Sequence, residues 1–428
     1  MVTLPENRIL NIKTSISKIL KLDKVTVRDL ASVIGKLNAT TLAISAAPLH
    51  YRGIQLLKAK FLRKGHYEST CSLTSEVKNE LIWWMRNLSL CKGRSLTPKP
   101  LKLVIASDAS LEFGWGAVSN GVSIGFKWEK FMLSKHINIL ELIAAFWGLK
   151  SFALNLQDAT VKLKIDNTTA VAAINRLGSP RSPEATAVAQ DIWSWAFKRN
   201  LTLVAEHIPG SKNCLADAAS RGAVKDSGDW KLDSIVFSCV LETWGPFSVD
   251  LFTNCRNYQF KLFFSWLPDP LATGFNALNQ EWCEGLPYAF PPFALISLCL
   301  QRLRKSPSLQ ELVLITPVWP AQPWFPLLWQ LSTQFPLLFP LFDELILDAQ
   351  NAPHPLIING ALQLAAWRLS SPSSKTQEFQ SKLPNWWRRL GSNHQGADMI
   401  CIGKIGAFGQ ENNFWTLFNH LQLPSQNS

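Results

Sequence analysis

The chain has 428 residues, room for roughly two to four domains at about 100–200 residues each. Hydrophobic residues make up 47% and charged residues 17%, which excludes a disordered chain, and the net charge is +12 at pH 7. No run of about 20 apolar residues suggests a membrane span, since Gln330, Gln334 and several prolines break the most apolar region, residues 325–342.

Residues 1–100 hold 17 Lys+Arg against 6 Asp+Glu, a net of +11 and nearly all of the excess. A basic segment of this size commonly contacts phosphate; the plainer reading is a solvated helical face. Within it Leu30, Val33, Ile34 and Leu37 recur at helical spacing, and Thr26 with Asp29 forms a capping box before them. Further helical patterns run from Tyr51 to about Lys64 and from Ser75 to Leu88. Leu90–Pro100 reads as a linker from its Gly, Pro and basic content.

Residues 101–222 alternate in type. Leu101–Ser107, Gly114–Val118 and Val122–Trp128 read as strands, with Asn120-Gly121 as the hairpin turn between the last two. Ile137–Leu156 is a long helical pattern and Val161–Ile165 a strand. Thr168–Arg176 and Pro183–Arg199 are helical, Leu201–Glu206 is a strand, and a short helix starts near Asn213. This order predicts an α/β domain: a five-stranded mixed sheet with helices on both faces.

Four carboxylates stand in unusual places. Asp108 ends an apolar strand, Glu141 lies in an apolar helix, Asp166 ends the next strand, and Asp217 sits within Asn213–Arg221. An unpaired charge beside a buried strand is costly unless it is paired or binds metal. The predicted sheet makes the strands of Asp108 and Asp166 neighbours, at the edge where ligands bind in α/β folds. Two divalent ions roughly 3.5–4 Å apart would offset the repulsion and suit in-line attack on a phosphodiester. Oxygen-only ligands favour Mg²⁺ or Mn²⁺. Taken singly, Asp166 reads as a helix N-cap and Asp217 as a surface acid.

The joint pattern resembles a type 1 ribonuclease H domain of the sort carried by retroelement reverse transcriptases. The residues that carry it are SDAS with Asp108, GWGAV, NILELIAA with Glu141, KIDNTTAV with Asp166 and HIPGSKNCLADAASR with Asp217. The spacings of 33, 25 and 51 fit that family's carboxylate quartet. The resemblance implies two ions held by Asp108, Glu141, Asp166 and Asp217, and a catalytic role for His207 in proton transfer or product release. It also implies substrate contacts from Asn138 and Asn213, and cleavage of the RNA strand of an RNA–DNA hybrid. Asn167 departs from the Ser of many cellular enzymes, and residues 176–200 are too short for an added basic helix. Grip on the nucleic acid would then come from the basic N-terminal segment.

Residues 1–100 resemble the thumb and connection of a reverse transcriptase, in LASVIGKLNATTLAI and LTSEVKNELIWWMRNL. No Asp-Asp pair occurs in the chain, so no polymerase metal site is encoded here. VDLFTN, SWLPDPLATGFNAL, AFPPF and LITPVWPAQPWFPLL resemble the region after ribonuclease H in DIRS-like, tyrosine-recombinase retrotransposons. There, Asp250-Leu-Phe and Phe290-Pro-Pro-Phe293 resemble damaged forms of a methyltransferase's cofactor turn and Asp-Pro-Pro-Tyr loop. None of His354, His394 and His420 has Arg at +3, so no recombinase module is expected.

The expected order is a helical thumb/connection-like segment (1–100), a ribonuclease H-like domain (101–225), a second α/β, degenerate methyltransferase-like domain (231–370), with Leu312–Thr316 as a buried strand, and a loosely ordered tail (371–428). Other proteins of a retroelement are the implied partners. The eight Cys form no close pair, and no secretory signal opens the chain. Reduced thiols in an intracellular protein of cytoplasm or nucleus are therefore expected. The alternative function is a catalytically silent, nucleic-acid-binding remnant.

Overall fold

A computed structural model describes residues 1–62, 65–89, 93, 95–179, 181–222, 230–282, 285–305, 311–348, 351–371, 373–382, 410–411, 414–415 and 418–423. Two compact units divide the chain, Met1–Val224 and Lys225–Ser428.

The first unit opens with helices α1 (Glu6–Leu20), α2 (Val27–Asn38), α3 (Arg52–Leu62) and α4 (Ser75–Asn87). The apolar stripe Leu30, Val33, Ile34 and Leu37 is buried against Ile12, Ile16, Ile54, Leu81 and Trp84. The capping box forms as expected: the Asp29 N–H donates to Thr26 Oγ1 at 3.0 Å, and the Thr26 N–H to Asp29 Oδ2 at 3.4 Å. Helix α3 is capped from outside. Its Gly53 and Ile54 N–H groups donate to the Glu80 carboxylate of α4 at 2.9 and 3.0 Å. Such trans-capping satisfies donors that a helix start leaves open. Residues 90–92 and 94 of the expected linker lie outside the described residues.

The second part of this unit is built on strands β1 (Leu101–Ala109), β2 (Gly114–Ser119) and β3 (Val122–Lys127), then helix α5 (Ile137–Phe152) and strand β4 (Thr160–Ile165). Helices α6 (Thr168–Asn175) and α7 (Pro183–Lys198), strand β5 (Thr202–His207) and helix α8 (Cys214–Ser220) complete it. The sheet order is β3-β2-β1-β4-β5, with β1, β4 and β5 parallel and β2 and β3 antiparallel to their neighbours. Both turn residues of the β2–β3 hairpin have positive φ, 50° at Asn120 and 78° at Gly121, as a type I′ turn requires. Strand β1 runs past the expected end and carries Asp108 inside it.

Helices lie on both faces, and two adjacent residues show it. A Cβ on Gly116 would come within 2.5 Å of the Ala216 carbonyl oxygen and the Ser220 nitrogen of α8. One residue on, Ala117 Cβ faces Gly148 of α5. Successive strand residues point to opposite faces, so α5 and α8 sandwich the sheet.

The second unit contains α9 (Ser234–Trp244), β6 (Phe264–Ser265), β7 (Gly274–Phe275), β8 (Tyr288–Ala289), α10 (Ile296–Lys305) and β9 (Glu311–Pro317). It continues with α11 (Phe325–Leu331), β10 (Leu337–Leu338), β11 (Leu364–Ser370), α12 (Ser374–Lys382) and β12 (Asn419–His420). One sheet runs β8-β9-β11-β10-β12, with β11 antiparallel to both neighbours. Asp250 extends it by parallel bridges to Tyr288 and to Phe263, which precedes β6, and β7 pairs parallel with β6. Trp329, Trp367 and Phe325 fill its core. Within 371–428, only 371, 373–382, 410–411, 414–415 and 418–423 are among the described residues. Helix α12 buries Phe379, and β12 pairs with β10 while Phe418 packs on Trp329 and Trp367. The tail from Gly391 otherwise lies largely outside the described residues. Among the described residues no helix is long and apolar enough to cross a membrane.

Candidate active site

The pairing of β1 with β4 runs from Leu101 opposite Thr160 to Ser107 opposite Ile165. Asp108 and Asp166 follow those last partners, so parallel pairing alone sets them side by side. Helix α5 brings Glu141 over them. One carboxylate oxygen from each of Asp108, Glu141 and Asp166 lies within 4.8 Å of the others. Asp108 is 6% exposed and Glu141 4%.

Burial and mutual repulsion shape the protonation of this cluster. Burial is the main cause that pushes Glu141 up to a pKa of about 9, and the charges of Asp108 and Asp166 add to it. Asp108 is also raised by burial, offset in part by a hydrogen bond from Ser220. The Ser220 hydroxyl donates to Asp108 Oδ2 at 2.5 Å and lies 2.8 Å from the Asp217 carbonyl oxygen. The Ala109 N–H bonds the Glu141 carboxylate, yet Glu141 Oε2 is buried with no hydrogen-bond partner. An orphaned buried carboxylate oxygen facing two others costs free energy that a hard divalent cation removes. The residues present therefore fit such an ion, and an all-oxygen set suits Mg²⁺ or Mn²⁺.

The other expected site residues fall into two groups. Asp217 lies on α8 near Asp108 but outside the three-carboxylate group. Its Oδ1 accepts from Arg221 Nε at 2.8 Å. The helix that carries it is seated by close backbone approach, since Gly116 and its cross-strand partner Gly125 both abut α8. His207, the last residue of β5, is exposed, and its Nε2 lies 3.1 Å from the Asp166 carbonyl oxygen. Asn138, at the start of α5, accepts from Asn167 Nδ2 at 2.8 Å. Asn167, not Asp166, caps α6 by accepting the Ala170 N–H, which leaves the Asp166 carboxylate for the cluster.

Asn213, expected at the substrate, is placed at the start of α8. It is 2% exposed, and its Nδ2 donates inward to the Ser107 carbonyl at 2.9 Å. It ties the start of α8 to the strand of Asp108 instead of facing solvent. Ser220 and Arg221 were not singled out by the sequence. Their place three and four residues after Asp217 in LADAASR was the available signal, but the Ser220–Asp108 bond spans 112 residues.

No protein-family model and no curated protein matches the sequence. Solved structures do. The chain is similar to LC11-RNase H1 in complex with RNA/DNA hybrid, at 21% identity over 28% of this chain and 93% of that one, with a TM-score of 0.24. It is similar to RNase H1 from the halophilic archaeon Halobacterium salinarum NRC-1, at 18% identity over 27% and 92%, TM-score 0.23. A foamy viral protease-reverse transcriptase in complex with dsDNA matches at 13% identity over 45% of this chain, TM-score 0.19. The match spans 41% of that viral chain.

Proposed function

We propose that residues 101–225 form a divalent-metal-dependent endonuclease that cuts the RNA strand of RNA–DNA hybrids. The observation that carries this reading is the buried Asp108–Glu141–Asp166 cluster with its orphaned Glu141 oxygen. The strand order and the spacing of the carboxylates support a ribonuclease H-like domain. Asp108, Glu141 and Asp166 would hold the ions, with Asp217 released from Arg221 to complete the set. Divalent ions there supply Lewis-acid activation of water and neutralise charge at the departing oxygen.

The chain's own residues supply the rest. The Ser220 hydroxyl holds one Asp108 oxygen and so fixes the orientation of that carboxylate. Asn138 and Asn167, joined to each other beside the site, present amide groups to a sugar-phosphate backbone. His207 stands exposed at the rim, where its imidazole would aid proton transfer or product release. Recognition of the cut strand by its 2′-hydroxyls and by groove shape gives the preference for RNA in a hybrid.

The test is cleavage of an end-labelled RNA–DNA hybrid by the full chain with Mg²⁺, with and without chelator, against duplex DNA of the same sequence. Asp108→Asn should abolish cleavage and leave hybrid binding. Parent-rate cutting by Asp108→Asn refutes the assignment, and equal cutting of duplex DNA refutes the substrate.

Residues 1–100 are read as the thumb/connection-like segment of a DIRS-like retroelement polyprotein, whose other proteins are the natural partners. For the second unit, we infer a methyltransferase-like topology. Counted along the chain from Asp250, its strand positions lie in the order 3-2-1-4-5-7-6-8, and only the seventh, β11, is antiparallel. Its turn after Asp250 is filled by its own side chains. Thr253 Oγ1 and the Asn254 N–H donate to Asn257 Oδ1, and the Cys255 N–H donates to Asp269. With Phe290 in place of a hydrogen-bonding residue, the unit is read as catalytically silent.

A further inference from the structure

The C-terminal end of α8 carries two neighbouring residues that bond two different carboxylates. Ser220 donates to Asp108, whereas Arg221, the next residue, donates from Nε to Asp217 Oδ1 at 2.8 Å. The Asp217–Arg221 pair is spaced i,i+4, and its side chains are 43% and 61% exposed. An exposed pair of this kind is weak, changing an equilibrium by about two- to fivefold.

Arg221 is also a permanent cation beside an acidic cluster, since a guanidinium keeps its charge. Its charge acts on Asp108 and Glu112 as well as on Asp217. Glu141, by contrast, feels the charges of Asp108 and Asp166. The site therefore has two sides that share Asp108. On the inner side Asp108, Glu141 and Asp166 converge, and the buried Glu141 Oε2 has no hydrogen-bond partner. On the outer side lie Asp108 and Asp217, with the guanidinium already bonded to Asp217.

Asp217 cannot join the inner group by a shift of its helix. A Cβ on Gly116 would meet the Ala216 carbonyl oxygen and the Ser220 nitrogen at 2.5 Å, and one on Gly125 would meet the Ala219 carbonyl. The α8 backbone thus already lies as close to the sheet as two glycines allow. The Asp217 carboxylate can approach the cluster only by rotation about its own side-chain bonds, and that rotation breaks the bond from Arg221 Nε.

We propose that Arg221 is a removable counter-ion that holds Asp217 in reserve. The cluster takes one divalent cation through Asp108, Glu141 and Asp166, and a second only in exchange for the Arg221 guanidinium. The proposal rests on the metal-dependent reading above and adds an order of loading to it. Arg221 is a positioning residue that acts through Asp217.

The experiment titrates Mn²⁺ into the metal-stripped full chain, without nucleic acid, and follows free Mn²⁺ by electron paramagnetic resonance. The parent should bind one ion, and a second at least about tenfold more weakly, because the guanidinium repels it. Arg221→Ala should tighten the second ion by about three- to tenfold and leave the first within about twofold, since both the lost pair and the lost repulsion act on the outer side. Arg221→Lys, which keeps the cation, should restore the parent's gap. Adding Asp217→Asn to Arg221→Ala should erase the gain, whereas a purely structural role for Arg221 would not depend on residue 217. Two equally tight ions in the parent overturn the proposal, as does an unchanged second ion in Arg221→Ala. A parent that binds no Mn²⁺ refutes the metal-dependent reading, and the proposal falls with it. A parent that loads in this order yet cuts no hybrid refutes the nuclease reading alone.

Discussion

Replacing Glu141 with Gln should stabilise the metal-free protein while removing its cleavage activity. Glu141 is buried beside Asp108 and Asp166, with its pKa lifted from 4.5 to about 9. For a carboxylate raised on folding, the stabilising contribution is complete below pH 4.5 and is lost as pH rises toward 9. At pH 7 the folded protein must hold a proton that the unfolded chain has released, at about 1.4 kcal/mol for each pH step above the ordinary value. That amounts to about 3 kcal/mol, an upper figure because denatured chains are not fully solvated. A glutamine at this position carries no such cost. In chelator, Glu141→Gln should melt at a higher temperature than the parent at pH 8, and the two should converge toward pH 5. Added Mg²⁺ should raise the parent's melting temperature far more than the variant's. A variant that melts below the parent at pH 8 without metal would refute the electrostatic account of the cluster.

Three further outcomes follow from other features. Gly116→Ala should cost about 1–3 kcal/mol and lower cleavage, because its Cβ would meet the α8 backbone at 2.5 Å; unchanged melting and activity would show that α8 moves freely. If the basic helices contact phosphate, Lys18→Ala, Lys21→Ala and Lys24→Ala together should reduce the log-affinity against log-salt slope by up to about 3, at ~0.9 per lost contact. An unchanged slope in hybrid-binding titrations returns those charges to a solvated face. Calorimetry of the full chain with S-adenosylmethionine should show no heat of binding, since the turn after Asp250 is occupied by Asn257 and Asp269 contacts; saturable micromolar binding would revive the second unit as an enzyme.

The five-stranded sheet and its carboxylates were legible because their information is local. Asn120-Gly121 names its turn type, the apolar run before Asp108 names a buried strand, and parallel pairing places Asp166 beside it. Glu141 stood out as one charge in an apolar helix. What escaped depends on contacts between distant residues. The inward turn of Asn213 and the Ser220 hydroxyl on Asp108 exist only once α8 lies against β1. The long-range partner of α3's first N–H groups, Glu80, reads in the sequence as an ordinary helix-surface acid. In the second unit the strands at Phe264, Gly274, Tyr288 and Leu337 are two residues long, too short to show alternation. The pairing of Asn419–His420 with β10 has no periodic pattern to announce it.

The seating of Leu49 in the core of the five-stranded sheet bears on where this protein can be cut. Composition and charge invite a division near residue 100, and a fragment beginning there would carry every carboxylate of the site. It would also carry an empty socket: an apolar hole where Leu49 sat, and the Arg176 carbonyl and Gln190 amide without their partners. Losing a buried leucine forfeits about 2–5 kcal/mol, a large part of the stability of a domain this size. Residues 1–224 form one compact unit, and the core around the carboxylate-bearing sheet is in that sense completed by a residue supplied from upstream.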